Sequence, residues 1–278
     1  MTFSPDRTRY PTPQMSDPNS DTIRHPALGD LLAPVEALAR QAGAVILHVY
    51  AGDFAVQHKA DASPVTAADE QAEAVIVPGL RALTPGWPVV AEEAQSRGSG
   101  ACGGPTFWLV DPLDGTREFV QRNGEFTVNI ALVVDGEPVL GVVYLPVPDR
   151  LYAGVCGRGA WVQDSAGRRT IACRLPPAQG LTVASSRAHG DESALGAFLQ
   201  GQPVAQRLAA GSSLKFGLLA EGRADLYPRF GRTMEWDTAA GHAVLAAAGG
   251  SVCDLQGQPL RYGKPGFENP HFVARGRT

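Results

Sequence analysis

The chain has 278 residues, of which 44% are hydrophobic and 19% charged, a composition typical of a folded protein with a sizeable core. Its formal net charge of -4 excludes the strongly basic surface that stable binding to DNA or RNA requires. The four cysteines, Cys102, Cys156, Cys173 and Cys253, form no C-x-x-C pair, which argues against a zinc site or a disulfide framework.

The N-terminal region lacks the apolar segment of a secretory signal, and no run of about 18 apolar residues is present to cross a membrane. We therefore expect a cytoplasmic protein without a transmembrane segment. Residues 1–26 are rich in proline, serine, aspartate and threonine, which predicts a disordered leader. Met15 is an alternative start to Met1.

Two helices are predicted first. Apolar residues recur at intervals of three and four from Leu28, and Pro34 is expected in the first turn of this helix. A second helical pattern runs from about Thr66 to Leu83 and contains Pro78, which should kink or split it. The polar stretch between them, which includes Lys59, is expected to be an extended link.

Strand-like runs follow, separated by Gly, Pro and Asp signals: PVVAEE, FWLVD, FTVNIALVV, PVLGVVYLP, LYAGV and GAWVQ. They predict a mainly antiparallel sheet with helices on one side. After about residue 176 strands alternate with helices: LTVASS, a helix near 191–200, a helix near 212–221, ADLYP, a helix from Trp236 to Ala248, SVCD and HFVA. We therefore expect an N-terminal α+β half with a catalytic loop, residues 27–175, and a C-terminal α/β half that completes the site, residues 176–278.

Acidic residues stand in four places where a charge is costly. Glu92 with Glu93, and Asp111 with Asp114, close apolar strands, while Asp69 and Asp237 stand at the starts of helices. An acid at the start of a helix is often only a cap, an interpretation that is favoured for Asp69 and open for Asp237. Glu93 is interpreted as a solvated neighbour of Glu92.

The pair in "WLVDPLDGT" is harder to explain by capping, because Pro112 fixes the backbone between Asp111 and Asp114. Two acids this close raise each other's pKa unless a cation lies between them. Carboxylates are ligands of Mg²⁺, while Gly115 and Thr116 offer backbone and hydroxyl groups for an anion. Metal-assisted hydrolysis of a phosphate ester is the reaction class that this pattern favours.

Two motifs carry a family resemblance: Asp111-Pro-Leu-Asp-Gly-Thr116 and Trp236-Asp-Thr-Ala-Ala240. With the upstream Glu-Glu pair, they resemble the inositol monophosphatase superfamily of Mg²⁺-dependent, lithium-sensitive phosphatases. The stretch "DPLDGTREFVQRNGEFTVNIALV", like "KADASPVTAADE" and "GSSLKFGLLAEGRADLYPRFG", is similar to the CysQ type of 3'(2'),5'-bisphosphate nucleotidase.

The resemblance implies a layered αβαβα sandwich and hydrolysis of adenosine 3',5'-bisphosphate to AMP and phosphate, in sulfur assimilation. It also implies about two or three Mg²⁺ ions, inhibition by lithium, and a monomer or homodimer. A peripheral position on the inner face of the cell membrane is a further expectation. Activity on inositol monophosphate or fructose 1,6-bisphosphate is the alternative, and a non-catalytic nucleotide or metal sensor is a hypothesis of another class.

The resemblance also assigns residues. Metal ligands are expected to be Glu92, Asp111, the carbonyl of Leu113, Asp114 and Asp237. Thr116, oriented with Asp69 and helped by Glu92, is expected to position and activate the attacking water. The backbone of Asp114, Gly115 and Thr116 would hold the scissile phosphate.

A second phosphate and a nucleoside need further contacts. Candidates are Ser212, Ser213, Lys215 and Arg229, with solvated positions as the alternative for the two cations. His242 is interpreted as a structural residue. The glycine-rich segment 96–105 has no counterpart in the resemblance and is a candidate flap beside the site.

Overall fold

The computed structural model describes residues 28–58, 64–187 and 191–277. The predicted leader at 1–26, with Met15, and Lys59 lie outside these ranges. Helix α1, Leu28–Ala51, is followed by two short paired strands, β1 at Gln57–His58 and β2 at Pro64–Val65. Helix α2 then runs over Ala67–Leu83.

Pro34 does not lie where it was predicted, and Pro78 does not split its helix. Pro34 lies beyond the first turn of α1, because the described helix already begins at Leu28. Pro78 does not split α2, which continues to Leu83. At the next residue, Gly79, an added Cβ would come within 2.3 Å of Leu38 on α1, so the helices are in close contact there. Packing of this kind offsets the one backbone hydrogen bond that a proline removes.

The next elements build a seven-stranded sheet. They are β3 Val89–Ala91, α3 Glu92–Ser96, β4 Thr106–Asp114, α4 Thr116–Val120, β5 Thr127–Val134, β6 Glu137–Leu145, β7 Arg150–Val155, β8 Gly159–Asp164 and β9 Gly167–Ile171. The strands lie in the order in which they occur, and only β3 and β4 are parallel. Strand β9 escapes sequence prediction because its residues, GRRTI, are mostly polar and exposed.

The rest of the described chain forms a five-stranded mixed sheet with three helices and one short 3-10 turn. The elements are β10 Leu181–Ser186, α5 Glu192–Leu199, β11 Val204–Ala210, α6 Leu214–Ala220, β12 Leu226–Arg229, α7 Glu235–Ala247, β13 Ser251–Asp254, the 3-10 turn Pro265–Phe267 and β14 Phe272–Arg275. The sheet order is β11-β10-β12-β14-β13. Strand β11 was not predicted, because most of its side chains are exposed. The division into halves at residue 175 stays a prediction.

Helices cover both faces of the large sheet, so the prediction of helices on one side is wrong. Val110, Ile130 and Val142 pack into the cluster formed with α1 and α2. Their sequence neighbours Leu109, Ala131 and Val143 pack into the cluster that contains α6, α7 and the second sheet. Successive strand residues point to opposite faces, so these continuous apolar runs bury both faces of the sheet. The layers are α1/α2, the seven-stranded sheet, α6/α7, the five-stranded sheet and α5, as the predicted αβαβα sandwich requires.

Glycines on two strands let α7 lie directly on the large sheet. A Cβ on Gly141 of β6 would stand 2.3 Å from the Ala240 carbonyl oxygen, and one on Gly154 of β7 would stand 2.6 Å from the Val244 Cα. The helix can approach this closely only where the strand has no side chain. Because α7 also carries Asp237, this contact sets the height of an acid above the sheet.

We expect Gly141→Val to destabilise the protein by about 1–3 kcal/mol, because the new side chain must displace α7. The measurement is urea unfolding. Gly196→Val is the matched control, since an added Cβ on Gly196 of α5 meets no atom within 4 Å. Equal midpoints for the Gly141 and Gly196 variants would contradict the packing argument.

Candidate active site

A bulge in β4 places Asp111 and Asp114 on one turn. Asp111 stands opposite Asn129 of β5 and Asp114 stands opposite Thr127, so β4 advances three residues while β5 advances two. The extra residue on β4 bends the strand and changes the direction of its side chains. The backbone N–H of Leu113 donates to Asp111 Oδ1 at 3.0 Å, which closes the turn.

The bulge opens onto a cavity of about 820 Å³. Its walls are formed by elements from both sheets, and most of the residues expected at the site line it. These are Glu92, Asp111, Leu113, Asp114, Gly115, Thr116, Ser212, Ser213, Lys215, Arg229 and Asp237. Asp69 is not among the lining residues but contacts one of them, as described below. The structure thus brings together every residue that the sequence analysis proposed for chemistry or for substrate binding.

Negative charge in this cavity is costly. Burial, followed by the charges of Glu92, Asp114 and Asp237, raises the pKa of Asp111 well above its usual range. Burial and then Asp114 and Glu92 have the same effect on the pKa of Asp237. A cation among these carboxylates would relieve both the desolvation cost and the mutual repulsion.

Asp114 lies in a more balanced environment. Burial raises the pKa of its carboxyl group, while the Lys215 ammonium and a hydrogen bond from Ser213 lower it. Oδ2 lies 3.0 Å from Ser213 Oγ and 3.5 Å from Asn129 Nδ2. Asn129 on β5 and Ser213 at the start of α6 therefore orient the Asp114 side chain.

The donor set fits Mg²⁺. Carboxylates and one carbonyl are hard oxygen ligands, and Mg²⁺ in phosphate-transfer sites is typically held by one or two carboxylates together with water and substrate oxygens. Within residues 28–58, 64–187 and 191–277, no three acidic, histidine or cysteine side chains meet as a preformed metal cluster. The acids instead surround an open cavity, and Glu92 hydrogen-bonds to Asp111.

Asp69 is both a helix cap and a contact of Thr116. Its Oδ2 accepts from the backbone N–H and the hydroxyl of Thr66, each at 2.8 Å, which completes the capping box of α2. Its Oδ1 lies 3.2 Å from Thr116 Oγ1. The capping interpretation and the functional one are therefore compatible, because each uses a different oxygen.

Gly115 lets the chain turn from β4 into α4. Its φ of 90° lies in the left-handed region. A Cβ there would stand 3.2 Å from the Ser212 Cβ and 3.3 Å from the Glu125 carbonyl oxygen. Thr116 begins α4, and its hydroxyl also lies 3.4 Å from the Leu113 carbonyl oxygen.

Asp237 follows the capping interpretation as well. The Met234 N–H donates to Asp237 Oδ2 at 2.8 Å, at the start of α7. Ser213 Oγ lies 2.6 Å from the Asp237 carbonyl oxygen and receives a hydrogen bond from Asn129 Nδ2 at 2.9 Å. Ser213 is 1% exposed, and the hydrogen bonds of its hydroxyl connect Asp114, Asn129 and the first turn of α7 at the wall of the cavity.

Lys215 is buried, so the interpretation of this residue as a solvated lysine is wrong. It is 3% exposed, and its Nζ donates to the carbonyl oxygens of Ala210 at 3.1 Å and Ser212 at 2.5 Å. Burial lowers its pKa to about 8, against the favourable charge of Asp114. All residues of α6 from Lys215 to Ala220 are buried, so this helix offers Lys215 no solvated face. The sequence did not predict this burial.

The structure also tests the interpretation of three further positions. Glu93 is 3% exposed, so its interpretation as solvated is wrong: strand β3 ends at Ala91, and the short helix α3 turns Glu93 inward. Arg229 is half-buried and donates from Nη2 to the Arg232 carbonyl at 3.2 Å. His242 is buried beside the Tyr262 hydroxyl, and burial lowers its pKa to about 4, which fits a structural role.

Ser212 has an unusual conformation. Its φ of 43° is in the left-handed region, and its hydroxyl is buried without a hydrogen bond to any residue in the part of the chain that the structure describes. A serine at such a position carries backbone strain. Ser212 is among the residues that line the cavity, and its role as a substrate contact stays a prediction.

The glycine-rich segment 96–105 leaves the end of α3 and returns to β4. Gln95 Nε2 donates to the Ala101 carbonyl at 2.5 Å, and an added Cβ on Gly103 would lie 3.4 Å from the ring of Phe107. Gln95 and Ser96 line the cavity at its edge. The proposal that the segment is a flap stays a prediction.

Sequence reasoning missed the far wall of the cavity. Phe267, in the 3-10 turn, has a φ of 55°, and the centroids of the Phe267 and Trp236 rings are 6.1 Å apart. Its loop is held by the fully buried Glu235, which accepts from the N–H groups of Gly263 and Lys264 at 2.6 and 2.9 Å. The loop lies well after the end of α7 at Ala247 and carries no recognisable motif. No signal in the sequence therefore identified it as part of the cavity.

A profile of the inositol monophosphatase family matches residues 28–275. The chain belongs to the inositol monophosphatase family. The chain is 51% identical to 3'(2'),5'-bisphosphate nucleotidase CysQ of Escherichia coli strain K12 over 247 residues. The match covers 87% of this chain and 98% of that protein. The protein of the same description from Buchnera aphidicola is 40% identical, over 88% of this chain and 93% of its own length.

Solved structures of the inositol monophosphatase family share the architecture. CysQ from Bacteroides thetaiotaomicron superposes with a TM-score of 0.75 at 37% identity, over 88% of this chain and 97% of its own. The inositol monophosphatase from Anabaena superposes with a TM-score of 0.71 at 26% identity, over 90% of this chain and 92% of its own. The predicted fold class is confirmed. Among the described residues no helix is both long and apolar enough to cross a membrane.

Proposed function

We propose that this chain is a Mg²⁺-dependent phosphatase that converts adenosine 3',5'-bisphosphate to AMP and phosphate, in sulfur assimilation. The observation that carries the reaction class is the cavity in which Glu92, Asp111, Asp114 and Asp237 oppose one another beside Thr116. The nucleotide specificity is supported by 51% identity to a protein described as a 3'(2'),5'-bisphosphate nucleotidase.

The carboxylates of this set and the Leu113 carbonyl would hold about two or three Mg²⁺ ions, whose charge would lower the pKa of a water and stabilise the leaving oxygen. Lithium is expected to inhibit. A monomeric or homodimeric state, and a cytoplasmic position with peripheral contact at the inner face of the membrane, stay predictions.

The remaining chemistry falls to the protein's own groups. The Thr116 hydroxyl donates to Asp69, so its oxygen is free to accept a hydrogen bond from the attacking water and aim it at phosphorus. Glu92 accepts the proton that the water loses. The water oxygen forms the new bond to phosphorus, the bond to the ribose oxygen breaks, and that oxygen leaves with a proton from solvent.

The backbone N–H groups at Asp114, Gly115 and Thr116 are proposed to hold the scissile phosphate, because all three residues line the cavity at the left-handed Gly115 turn. Ser212, Ser213, Lys215 and Arg229 are proposed for the remainder of the nucleotide. Ser212 is the member with an unused buried hydroxyl. Besides this proposed role, Ser213 hydrogen-bonds to Asp114 and the Lys215 ammonium lowers the pKa of that carboxyl group.

The deciding experiment is phosphate release from adenosine 3',5'-bisphosphate, inositol monophosphate and fructose 1,6-bisphosphate, each with and without Mg²⁺. We expect kcat/KM to be highest for the nucleotide and to fall to background when the metal is chelated. AMP, which lacks the 3'-phosphate, serves as the negative control. A higher kcat/KM for inositol monophosphate would favour the alternative phosphatase, and no release from any substrate would favour a sensor.

A further inference from the structure

The short helix α3 begins without a cap of its own. It starts at Glu92, and its N-cap residue Ala91 has no side chain that can accept a hydrogen bond. The first N–H groups of a helix need acceptors when they are buried. Here the acceptor comes from another helix: Glu73 Oε2 on α2 accepts from the N–H of Glu93 at 2.9 Å and from the N–H of Ala94 at 3.3 Å.

The second oxygen of Glu73 is held at the other end of α3. Arg97, the residue that ends this helix, donates from Nη2 to Glu73 Oε1 at 2.8 Å and lies 3.4 Å from Glu70 Oε1. Glu73 is 6% exposed, and Arg97 supplies the positive charge that its buried carboxylate needs. One carboxylate thus fixes both the start and the end of a five-residue helix.

Helix α2 therefore contacts Thr116 and also the backbone just after Glu92. Asp69 and Glu73 stand four residues apart, on the same face of α2. Asp69 accepts from the Thr116 hydroxyl, and Glu73 holds the backbone that immediately follows Glu92. The side chain of Glu92 reaches Asp111, so a shift of α3 would move Glu92 relative to the carboxylate set.

We propose that Glu73 is a positioning residue for metal binding: its carboxylate, held by Arg97, caps α3 and sets where Glu92 meets the other acids. This inference rests on the proposed role of Glu92 as a metal ligand. Glu73 is not among the residues that line the cavity. It acts through the backbone of α3, and α2 thereby sets the distance between the metal ligand Glu92 and the water-positioning Thr116.

The test is Glu73→Gln, which keeps the size of the side chain but cannot serve both partners. If the amide oxygen faces the N–H groups of α3, the amide NH₂ faces the Arg97 guanidinium, so one of two charge-assisted contacts is lost. Glu70→Gln is the matched control, because Glu70 is on the same helix and near the same arginine but is exposed and does not cap α3.

We expect Glu73→Gln to raise the half-saturating concentration of Mg²⁺ about tenfold in the phosphatase assay, to lower kcat, and to leave the KM for the nucleotide unchanged. Direct titration with Mg²⁺ or Mn²⁺ by calorimetry, without substrate, should show the same loss of affinity. Arg97→Ala, which leaves the cap in place, should have a smaller effect. Glu70→Gln should behave as the wild type.

The outcomes separate this inference from the proposed function. Metal affinity in Glu73→Gln that equals the wild-type value overturns the positioning role, and so does a variant that is merely less stable with an unchanged metal titration. A wild-type protein that binds Mg²⁺ but releases no phosphate from the nucleotide overturns the proposed function alone, because calorimetry still reports the effect of Glu73 on metal binding.

Discussion

Asp114→Asn is expected to lower kcat/KM by about a thousandfold or more, equivalent to about 4 kcal/mol of lost transition-state stabilisation. Asp114 lies at the end of the β4 bulge, between the predicted phosphate-holding turn and the wall formed by Ser213 and Asn129. An amide keeps the shape and one acceptor oxygen but removes the charge that would hold the metal. Phosphate release at saturating Mg²⁺ measures the effect.

The fold should survive Asp114→Asn, because the amide oxygen can still pair with Ser213 and the change removes a charge whose burial raises the pKa of the acid. Circular dichroism and thermal unfolding check this point. Asp254→Asn is the control: Asp254 accepts from backbone N–H groups in a turn outside the cavity lining. Equal phosphate release by the wild type and Asp114→Asn would show that the enzyme interpretation is wrong.

Asp111→Asn is expected to stabilise the ion-free protein and to abolish most of the stabilisation by Mg²⁺. Asp111 is 2% exposed, and its pKa is raised well above the usual range by burial and by three neighbouring acids. The folded state therefore holds a proton at Asp111 more tightly than the unfolded chain does, so stability is lost as the pH rises from the unfolded pKa through the raised folded one. The amide carries no charge and can still accept from the Leu113 N–H.

Thermal unfolding with EDTA or with Mg²⁺ tests this prediction at neutral pH. In the wild type, Mg²⁺ should raise Tm, because an ion that binds only the folded state stabilises it by mass action. In Asp111→Asn the Tm in EDTA should exceed that of the wild type, and the shift with Mg²⁺ should be small. A wild-type Tm that does not respond to Mg²⁺, or a variant that is less stable in EDTA, would contradict the argument.

Local motifs predict the turn that we propose to be catalytic, because the residues proposed for it are almost consecutive. Asp111, Leu113, Asp114, Gly115 and Thr116 lie on one bulge and one turn, where spacing along the chain is nearly spacing in the structure. Sequence patterns also placed most strands of the large sheet, whose apolar runs are long and bounded by turn residues.

The predictions that were wrong or missing share a cause: each depended on the tertiary surroundings of a segment rather than on its own residues. The largely exposed strands β9 and β11 escape prediction because few of their side chains are buried, so their sequences show no apolar period. Pro78 remains inside α2, where the next residue, Gly79, packs closely against Leu38 of α1. Burial of Glu93 and Lys215 depends on which face of a short helix meets the core, and a five- or seven-residue helix is too short to show that face in its sequence.

The sequence by itself determined the identities of the acids and, through the resemblance of two short motifs to a known family, the expected layered fold. The tertiary structure alone decided how the acids meet. It brings Asp237 on α7 against the bulge through the glycines of β6 and β7, ties it to Asp114 through the buried Ser213, and caps the backbone that follows Glu92 with Glu73 on a separate helix. Contacts between residues far apart in the chain follow from packing and from the need to satisfy buried polar groups, which no local pattern records.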